Sequence, residues 1–308
     1  MEKTLKVLTY NVDGLPEKLD LNDLPWLLKP IAWIYKLIKG TTIIAINDNN
    51  DKNEDFEKIS KYLSNVDADI IGVQEDFNYH DTLIGSLEKN YSCGTHLGGF
   101  DISKVFSNTE WITHFPLPRF KCDGINVISR KNFSNEKIES WKTSYGYFTH
   151  ANDLLTHKGF RYYLINLGED INVDLYILHM DADFYNLETC PNVSKDLNAR
   201  KTQLNQLIKD IKKSNTNNPI IIMGDTNSYD KYEWDKANIQ ENLIDAINNT
   251  DNLNIQESIP TNYSDCDKIF FINNKNSKYK LELKDCYFDM DMSGISDHMP
   301  LIAIFNIK

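Results

Sequence analysis

The sequence predicts an α/β fold in which packed mixed β-sheets are flanked by outer helices. Short continuous apolar runs recur along the chain, and such runs are typical of strands that are buried on both faces. Apolar residues at helical spacing occur in few places, for example at Phe56, Ile59 and Leu63. Several predicted strands follow one another without an intervening helix, which disfavours a simple doubly wound sheet.

Each element has a local sequence signal. The predicted strands are residues 5–10, 69–73, 125–129, 162–167, 175–178, 220–223, 268–272 and 301–305. A helix is expected over residues 55–63, and Ser194 is a candidate N-cap for a second helix. The second helix carries one apolar stripe, formed by Leu197, Leu204, Leu207, Ile208 and Ile211.

A single domain covering residues 1–308 is expected, because polar motifs that could share one site occur near both ends of the chain. An apolar insertion is expected around residues 20–46. Its segment 24–38 is interrupted by Pro30 and by lysines, so it is not expected to span a bilayer. We favour a helical insertion packed on the body of the protein, because single apolar stripes are mostly core. The alternative is a peripheral membrane contact in which Trp26, Trp33 and Tyr35 enter a lipid interface.

The composition restricts the partners and the compartment. With a net charge of −12 and only four Arg, the chain lacks the clustered positive charge of non-specific nucleic-acid binding, so no stable nucleic-acid partner is expected. The five Cys are widely spaced without a Cys-x-x-Cys pair, which favours free thiols, although one disulfide is left open. No cleavable signal is visible, so a cytoplasmic location is the default, with a removed secretion signal left open. We expect a monomer.

Five polar blocks each follow an apolar stretch. The blocks are residues 10–14, 73–75, 179–181, 224–227 and 296–298. Strand ends can gather at one edge of a sheet, so these blocks could form one site. Five side chains in them are candidate oxygen ligands: Asn11, Glu75, Asp225, Asn227 and Asp297. Such donors suit a hard divalent cation, Mg²⁺ first, with Mn²⁺ or Ca²⁺ as alternatives.

The same blocks contain the groups that phosphodiester hydrolysis needs. Water must be activated, and the phosphoryl oxygens need charge neutralisation. Asp225 beside Asn227 can orient or deprotonate water, whereas His298 can act as the base instead, and both assignments remain open. Asp267 is a candidate partner that fixes the tautomer of His298. His179 can donate a hydrogen bond to the developing charge.

In combination, these blocks resemble the endonuclease/exonuclease/phosphatase superfamily of metal-dependent hydrolases. The resemblance rests on Asn11, Gln74-Glu75, His179, Gly224-Asp225-x-Asn227 and Ser296-Asp297-His298, and it covers nearly the whole chain. It implies a four-layered α/β sandwich. It also implies that Glu75 is the main metal ligand, with Asn11 and Asp297 close to the metal.

A further motif is similar to the sphingomyelinases of this superfamily. Asp153 precedes Lys158-Gly159, and this segment lies ahead of the strand that ends in His179. A lysine there can neutralise a non-bridging phosphate oxygen, and Asp153 can hold it in place. The resemblance therefore implies a Mg²⁺-dependent phosphodiesterase that acts on a phospholipid head group or a similar small phosphodiester.

Other functions are kept as alternatives. Residues 11–14 also resemble the endonuclease form of the first block, so a nuclease acting on DNA or RNA is one alternative. An inositol phosphate phosphatase is another. A non-catalytic binding module is less favoured, because Glu75, His179, Asp225, Asn227 and His298 are all present.

Overall fold

The protein is a sandwich of two six-stranded mixed sheets with helices on both outer faces. The computed structural model describes residues 3–15, 18–20, 33, 36–37, 43–45, 52–87, 91–103, 117–145, 153, 156–182, 193–214 and 217–308. Apolar side chains of the two sheets pack against each other, and a separate apolar cluster joins each sheet to its helices. The predicted fold class, a four-layered α/β sandwich, is confirmed.

The first sheet contains the strands nearest the two ends of the chain. Numbered in chain order and given in spatial order, its strands are β15 (Leu281–Phe288), β16 (Leu301–Ile307), β1 (Lys3–Asn11), β4 (Ile70–Gln74), β8 (Asn126–Ser129) and β5 (Ser92–Cys93). At its centre, β1 pairs antiparallel with β16 and parallel with β4. The carboxyl ends of β1 and β4 therefore lie at the same edge.

The second sheet has the same arrangement at its centre. In spatial order its strands are β13 (Leu253–Glu257), β14 (Asp267–Asn274), β12 (Ile220–Asp225), β11 (Asn172–His179), β10 (Gly159–Asn166) and β9 (Asn132–Ser140). Strands β11 and β12 are parallel, and β12 pairs antiparallel with β14. The end of β12 therefore lies beside the end of β11 and the start of β14.

Helices cover the outer faces of the two sheets. The described helices are α1 (Asn53–Asn65), α2 (His80–Ile84), α3 (Val193–Ser214), α4 (Glu233–Lys236) and α5 (Asn242–Asn248), with a π-helical turn at Ala237–Glu241 and a 3₁₀ turn at Met290–Met292. Helix α1 packs on the first sheet, and α3 and α5 pack on the second. None of the helices that the structure describes is both long and apolar enough to cross a bilayer.

The central strands alternate between two apolar layers. In β1, Leu5 and Val7 face the second sheet, whereas Leu8 and Tyr10 face the layer that contains Phe56 of α1. Successive side chains of a strand point to opposite faces, so a strand covered on both faces needs a continuous apolar run. This is why all eight predicted strands are present in the structure.

Two short ribbons lie outside the main sheets. The strand β2 (Lys18–Asp20) pairs antiparallel with β3 (Ile43–Ala45), and β6 (Phe100–Ser103) pairs antiparallel with β7 (Leu117–Phe120). The first ribbon brackets the predicted insertion at residues 20–46. Of the segment 24–38, the structure describes Trp33, Lys36 and Leu37, which are exposed and helical, and the rest of the segment lies outside the described residues.

Candidate active site

Four strand ends bring the polar motifs to one edge of the sandwich. Asn11 is the last residue of β1, and Glu75 directly follows β4. His179 and Asp225 are the last residues of β11 and β12 and lie opposite each other in the ladder. In parallel α/β sheets, ligands bind outside the carboxyl ends of the strands. This edge is therefore the first place to look for a site.

The Asn11 side chain joins the two sheets at this edge. Its Nδ2 donates to Glu75 Oε1 at 3.2 Å and to Asp225 Oδ2 at 3.1 Å. Because these carboxylates belong to different sheets, one buried amide holds both halves of the site together. The hydroxyl of Ser296 donates to the Asn11 backbone oxygen at 2.8 Å, which adds the C-terminal motif.

The backbone is strained where the side chains leave the strands. Glu75 and Asn227 have φ values of +61° and +48°, in the left-handed region that side chains other than glycine adopt at a cost. Gly224 has a φ of +141°, and a Cβ there would lie 2.0 Å from the backbone oxygen of Leu178. Only glycine fits at that position, directly before Asp225.

His179 lies between the two carboxylates. Its Nε2 is 3.4 Å from Asp225 Oδ2 and 3.9 Å from Glu75 Oε1. Burial, and then the nearby Lys158, hold the pKa of His179 well below its ordinary value, so the ring is neutral. Within the described residues, its Nδ1 has no hydrogen-bond partner. A neutral imidazole at this position can donate one hydrogen bond to a substrate oxygen.

His298 and Asp267 form a tight pair. His298 Nδ1 lies 2.6 Å from Asp267 Oδ2, and His298 Nε2 lies 3.8 Å from Asp225 Oδ2. Asp267 is the first residue of β14 and faces Asp225 in the ladder, so the sheet register sets this geometry. Burial would lower the pKa of His298, but nearby groups, with Asp267 first, raise it well above its ordinary value. His298 is therefore cationic at neutral pH.

Asp225 and Asn227 form the turn after β12. The Asn227 backbone N–H donates to Asp225 Oδ1 at 2.8 Å, and the Asn227 side chain donates to the backbone oxygen of Met180 at 3.0 Å. Burial alone would raise the pKa of Asp225, but the neighbouring His298 and His179 lower it to about 2. Asp225 is therefore ionised over the whole physiological pH range.

Lys158 and Asp153 form a buried ion pair at the same edge. Lys158 Nζ lies 2.6 Å from Asp153 Oδ1, and Asp153 Oδ2 accepts from the Ala182 backbone N–H at 2.9 Å. Burial would lower the pKa of Lys158, but the carboxylates of Asp153 and Glu75 raise it above its ordinary value. The structure thus places a fixed ammonium group within electrostatic reach of Glu75.

Glu75 and Asp297 occupy different depths of the site. Burial raises the pKa of Glu75 to about 7, with Lys158 opposing and Asp297 adding to the shift. The Asp297 carboxyl is 72% exposed, and its Oδ1 lies 3.9 Å from His298 Nε2. Asp297 is therefore at the rim of the site, and direct metal ligation by its side chain remains a prediction.

The donor set fits a hard divalent cation at Glu75. The carboxylates of Glu75 and Asp225 both lie within 3.2 Å of the single Asn11 amide nitrogen, so carboxyl groups from the two sheets meet at one point. Buried charge is costly unless it is paired or bound to a metal. Carboxylate oxygens are donors that Mg²⁺ prefers, and it needs only one or two protein carboxylates. The Asn11 Oδ1 accepts a hydrogen bond from the Asp13 backbone N–H at 3.1 Å.

A second group of potential ligands at the same edge, which includes a thiol, is less well suited to a metal. Ligand atoms of Asp225, Cys266 and His298 lie within 4.8 Å of one another. The Nδ1 of His298 is already bound to Asp267, however, and burial raises the pKa of the Cys266 thiol well above its ordinary value. A cation on the oxygen donors of Glu75 therefore fits the site better.

Two supporting residues have no assigned role in the sequence-based prediction. Ser296 accepts a hydrogen bond from the His298 backbone N–H at 3.1 Å, which orients the start of the His298 turn. Asp181 is buried near Lys158 and accepts from the Tyr145 backbone N–H at 2.7 Å. Both residues fall within the polar blocks, but only the folded geometry shows what they contact.

Comparisons with known proteins show the family and the fold. A family model described as the endonuclease/exonuclease/phosphatase family matches residues 8–238. Among solved structures, beta toxin from Staphylococcus aureus is 17% identical over 97% of this chain and 99% of that chain, with a TM-score of 0.61. A variant of the same toxin was crystallised with bound magnesium ions, and it is 18% identical with a TM-score of 0.57, covering 98% and 99% of the two chains.

Two other solved structures share the fold. Sphingomyelinase C from Streptomyces griseocarneus is 15% identical over 98% of this chain and 99% of that chain, with a TM-score of 0.59. TDP2 from D. rerio, complexed with a single-strand DNA product, is 15% identical over the same fractions, with a TM-score of 0.56. A comparison with curated protein sequences gave no significant match. Because the family model covers more than half of the 308 residues, the chain belongs to the endonuclease/exonuclease/phosphatase family of phosphoester hydrolases.

Proposed function

We propose that this protein is a Mg²⁺-dependent phosphodiesterase of the sphingomyelinase-like branch, acting on a phospholipid head group or a similar small phosphodiester. The observation that carries the proposal is the buried Lys158–Asp153 pair within electrostatic reach of Glu75. The single positive charge of this ammonium group, beside the carboxylate proposed to bind the metal, is complementary to the single negative charge of a phosphodiester. The likeness to a sphingomyelinase and to a magnesium-bound toxin supports the same class of substrate and ion.

In this proposal, each residue has a separate role around one phosphorus atom of the substrate. Glu75 and Asn11 would hold Mg²⁺, and the ion would supply positive charge for the phosphoryl oxygens and the leaving oxygen. Lys158 binds a non-bridging oxygen, and Asp153 keeps the ammonium in place. Neutral His179 donates to the same group of oxygens as negative charge develops.

Asp225, rather than His298, is our proposed acceptor of the proton from water. Asp225 is ionised, and the Asn227 backbone N–H orients one of its oxygens. His298 already carries a proton through its pairing with Asp267, so it acts as a fixed cation and proton donor. The pH–rate profile separates these roles, because activity should fall as pH rises through the pKa of His298. A rise over that range would make His298 the base.

A substrate panel tests the proposed specificity. The purified protein is incubated with sphingomyelin micelles, lysophospholipids, inositol phosphates or single-stranded DNA, each with Mg²⁺, Mn²⁺ or Ca²⁺. We expect phosphocholine release from sphingomyelin with Mg²⁺, and its loss in Glu75→Gln and in protein treated with chelator. Cleavage of DNA without action on sphingomyelin would favour the nuclease alternative and overturn the proposed substrate class.

We also propose that the segment 24–38 makes a peripheral contact with lipid. Trp33 and Leu37 are one helical turn apart, and each is 65% exposed. Co-sedimentation with phosphatidylcholine–sphingomyelin liposomes should weaken in a Trp33→Ala/Leu37→Ala variant. It should persist in Ile259→Ala, which removes an apolar side chain that is 71% exposed elsewhere. Equal binding by the parent and both variants would contradict the lipid contact.

A further inference from the structure

The turn that presents Glu75 is strained and is held by other parts of the chain. Glu75 directly follows β4, and its φ of +61° lies in the left-handed region. A residue other than glycine keeps this conformation only where its surroundings fix it. The Phe77 backbone N–H donates to the Glu75 backbone oxygen at 2.9 Å, and the Asp76 backbone N–H donates to the Gly124 backbone oxygen at 2.9 Å. The residue next to Glu75 is therefore tied to the loop before β8.

The backbone oxygen of Asp76 is held by two side chains from distant segments of the chain. His96 Nε2 lies 3.0 Å from this oxygen, and Cys122 Sγ lies 3.4 Å from it. A carbonyl oxygen can only accept hydrogen bonds, so the His96 ring carries a proton on Nε2. His96 thus fixes, from outside the turn, the peptide group that lies one residue beyond Glu75.

The carboxylate of Asp76 is held by a second imidazole. Asp76 Oδ2 lies 2.7 Å from His80 Nδ1 and 3.5 Å from Asn126 Nδ2. The Asp76 side chain is buried, whereas His80 is the first residue of α2 and is partly exposed. A carboxylate accepts hydrogen bonds, so the His80 ring carries a proton on Nδ1 and donates it to Asp76.

The two histidines form one unit around Asp76. Their rings stack with centroids 4.1 Å apart and planes 14° apart. One ring donates through Nδ1 to the Asp76 side chain, and the other donates through Nε2 to the Asp76 main chain. Asp76 is therefore held at both ends, while the Glu75 carboxylate accepts from Asn11. Ring packing alone does not require these two nitrogen positions, so their placement indicates a positioning role.

We propose that His80 and His96 are positioning residues that act through Asp76 to hold Glu75 in its left-handed conformation. Glu75 then presents its carboxylate to the divalent cation without reorganising, and binding costs less free energy when a ligand is already in place. The inference rests on the proposed cation site at Glu75, but not on the identity of the phosphodiester. It gives a role to three residues that lie outside the five polar blocks, namely Asp76, His80 and His96.

Paired amide variants test whether the position of each donor matters. The side-chain nitrogen of asparagine can replace histidine Nδ1, and the longer side chain of glutamine can place its nitrogen where Nε2 lies. His80→Asn and His96→Gln should therefore keep the hydrogen bonds to Asp76, whereas His80→Gln and His96→Asn should lose them. Within each pair the same ring and any charge on it are removed, so only the donor position differs.

Calorimetry on the metal-free protein measures the affinity for Mg²⁺. We expect near-parental affinity in His80→Asn and His96→Gln. The affinity should be roughly 3- to 10-fold weaker in His80→Gln and His96→Asn, which is the range expected for one lost hydrogen bond. Glu75→Gln should abolish the heat of binding, which would show that the heat reports the Glu75 site.

Amide hydrogen exchange in the metal-free protein gives an independent measure of the turn. The Asp76 amide should exchange roughly 3- to 10-fold faster in His80→Gln and His96→Asn than in their paired variants. Amides of the central strand β12, such as that of Met223, should exchange at an unchanged rate. A general loss of stability would instead speed exchange throughout the sheets.

Several results would overturn the inference. Equal Mg²⁺ affinity within both pairs, or a reversed order, would show that the donor position does not matter. Faster exchange in β12 as well as at Asp76 would assign the histidines to general stability. If one variant does not fold, the pair at the other histidine decides the outcome. A parent protein that binds no Mg²⁺ would contradict the cation site of the proposed function, and the exchange rates would still show whether the histidines hold Asp76.

Discussion

Replacing Asp267 with Asn removes the negative charge that holds His298 in place. In the structure, Asp267 Oδ2 lies 2.6 Å from His298 Nδ1, and the pair is shielded from solvent. A hydrogen bond between charged groups contributes about 1.5–3 kcal/mol. Since about 1.4 kcal/mol corresponds to a tenfold change in rate, kcat/KM should fall about 10- to 150-fold. The pKa of His298 should fall as well, because Asp267 is the main group that raises it.

Two measurements check this prediction. Initial rates of phosphocholine release from sphingomyelin micelles give kcat/KM, and ¹H NMR titration gives the pKa of the His298 ring. Asp265→Asn is the matched control, because it removes the same charge two residues earlier and Asp265 instead contacts the Cys266 backbone N–H. We expect Asp265→Asn to retain the parental rate. A parental rate and an unchanged His298 titration in Asp267→Asn would refute the role of Asp267.

Three further predictions concern charge and packing. Because the pKa of Glu75 is about 7, protons compete with the metal for its carboxylate. Calorimetry should therefore show Mg²⁺ affinity falling roughly tenfold per pH unit below about pH 7. An affinity that does not change with pH would contradict this. Lys158→Ala should lower the free energy of unfolding in urea by about 3–5 kcal/mol, because it strands buried Asp153. Asp153→Asn/Lys158→Met should recover part of that loss. Gly159→Ala places a Cβ 1.9 Å from a backbone oxygen of the neighbouring strand. It should lower the free energy of unfolding, measured by thermal unfolding, by at least about 1–3 kcal/mol. Gly98→Ala, where a Cβ meets open space, should leave the free energy of unfolding nearly unchanged.

The central strands were predictable because burial on both faces leaves a clear sequence signal. In β12, Ile221 and Met223 face the other sheet, while Ile220 and Ile222 face the helices. Every position of such a strand must be apolar, so a continuous run appears in the sequence. The same reasoning recovers β1, β4 and β11, which carry most of the site.

The edge strands were not predictable in this way. Strands β9 and β15 lie at sheet edges, and many of their side chains are partly or fully exposed. Polar residues are therefore acceptable along much of their length, and pairing with a neighbouring strand decides the structure. The π-helical turn between α4 and α5 likewise has no periodic signal of its own.

For the active site, too, the sequence predicts which residues take part but not the distances between them. Glu75 and Asp225 could be identified because each is a carboxylate at the end of a buried strand. Their distances to Asn11 could not be predicted, because they depend on how the two sheets pack. Asp76 and His96 are 20 residues apart and have no motif in common, so their proximity is visible only in the folded chain.

The position of Mn²⁺ in crystals soaked with the ion tests the central claim most directly. Anomalous scattering locates the ion without reference to any substrate. We expect a strong peak about 2–2.5 Å from a Glu75 carboxylate oxygen, on the side that faces Asn11 and Asp225. Ordered crystals with no peak at Glu75 after a saturating soak would contradict a metal-dependent hydrolytic centre at this edge of the sandwich.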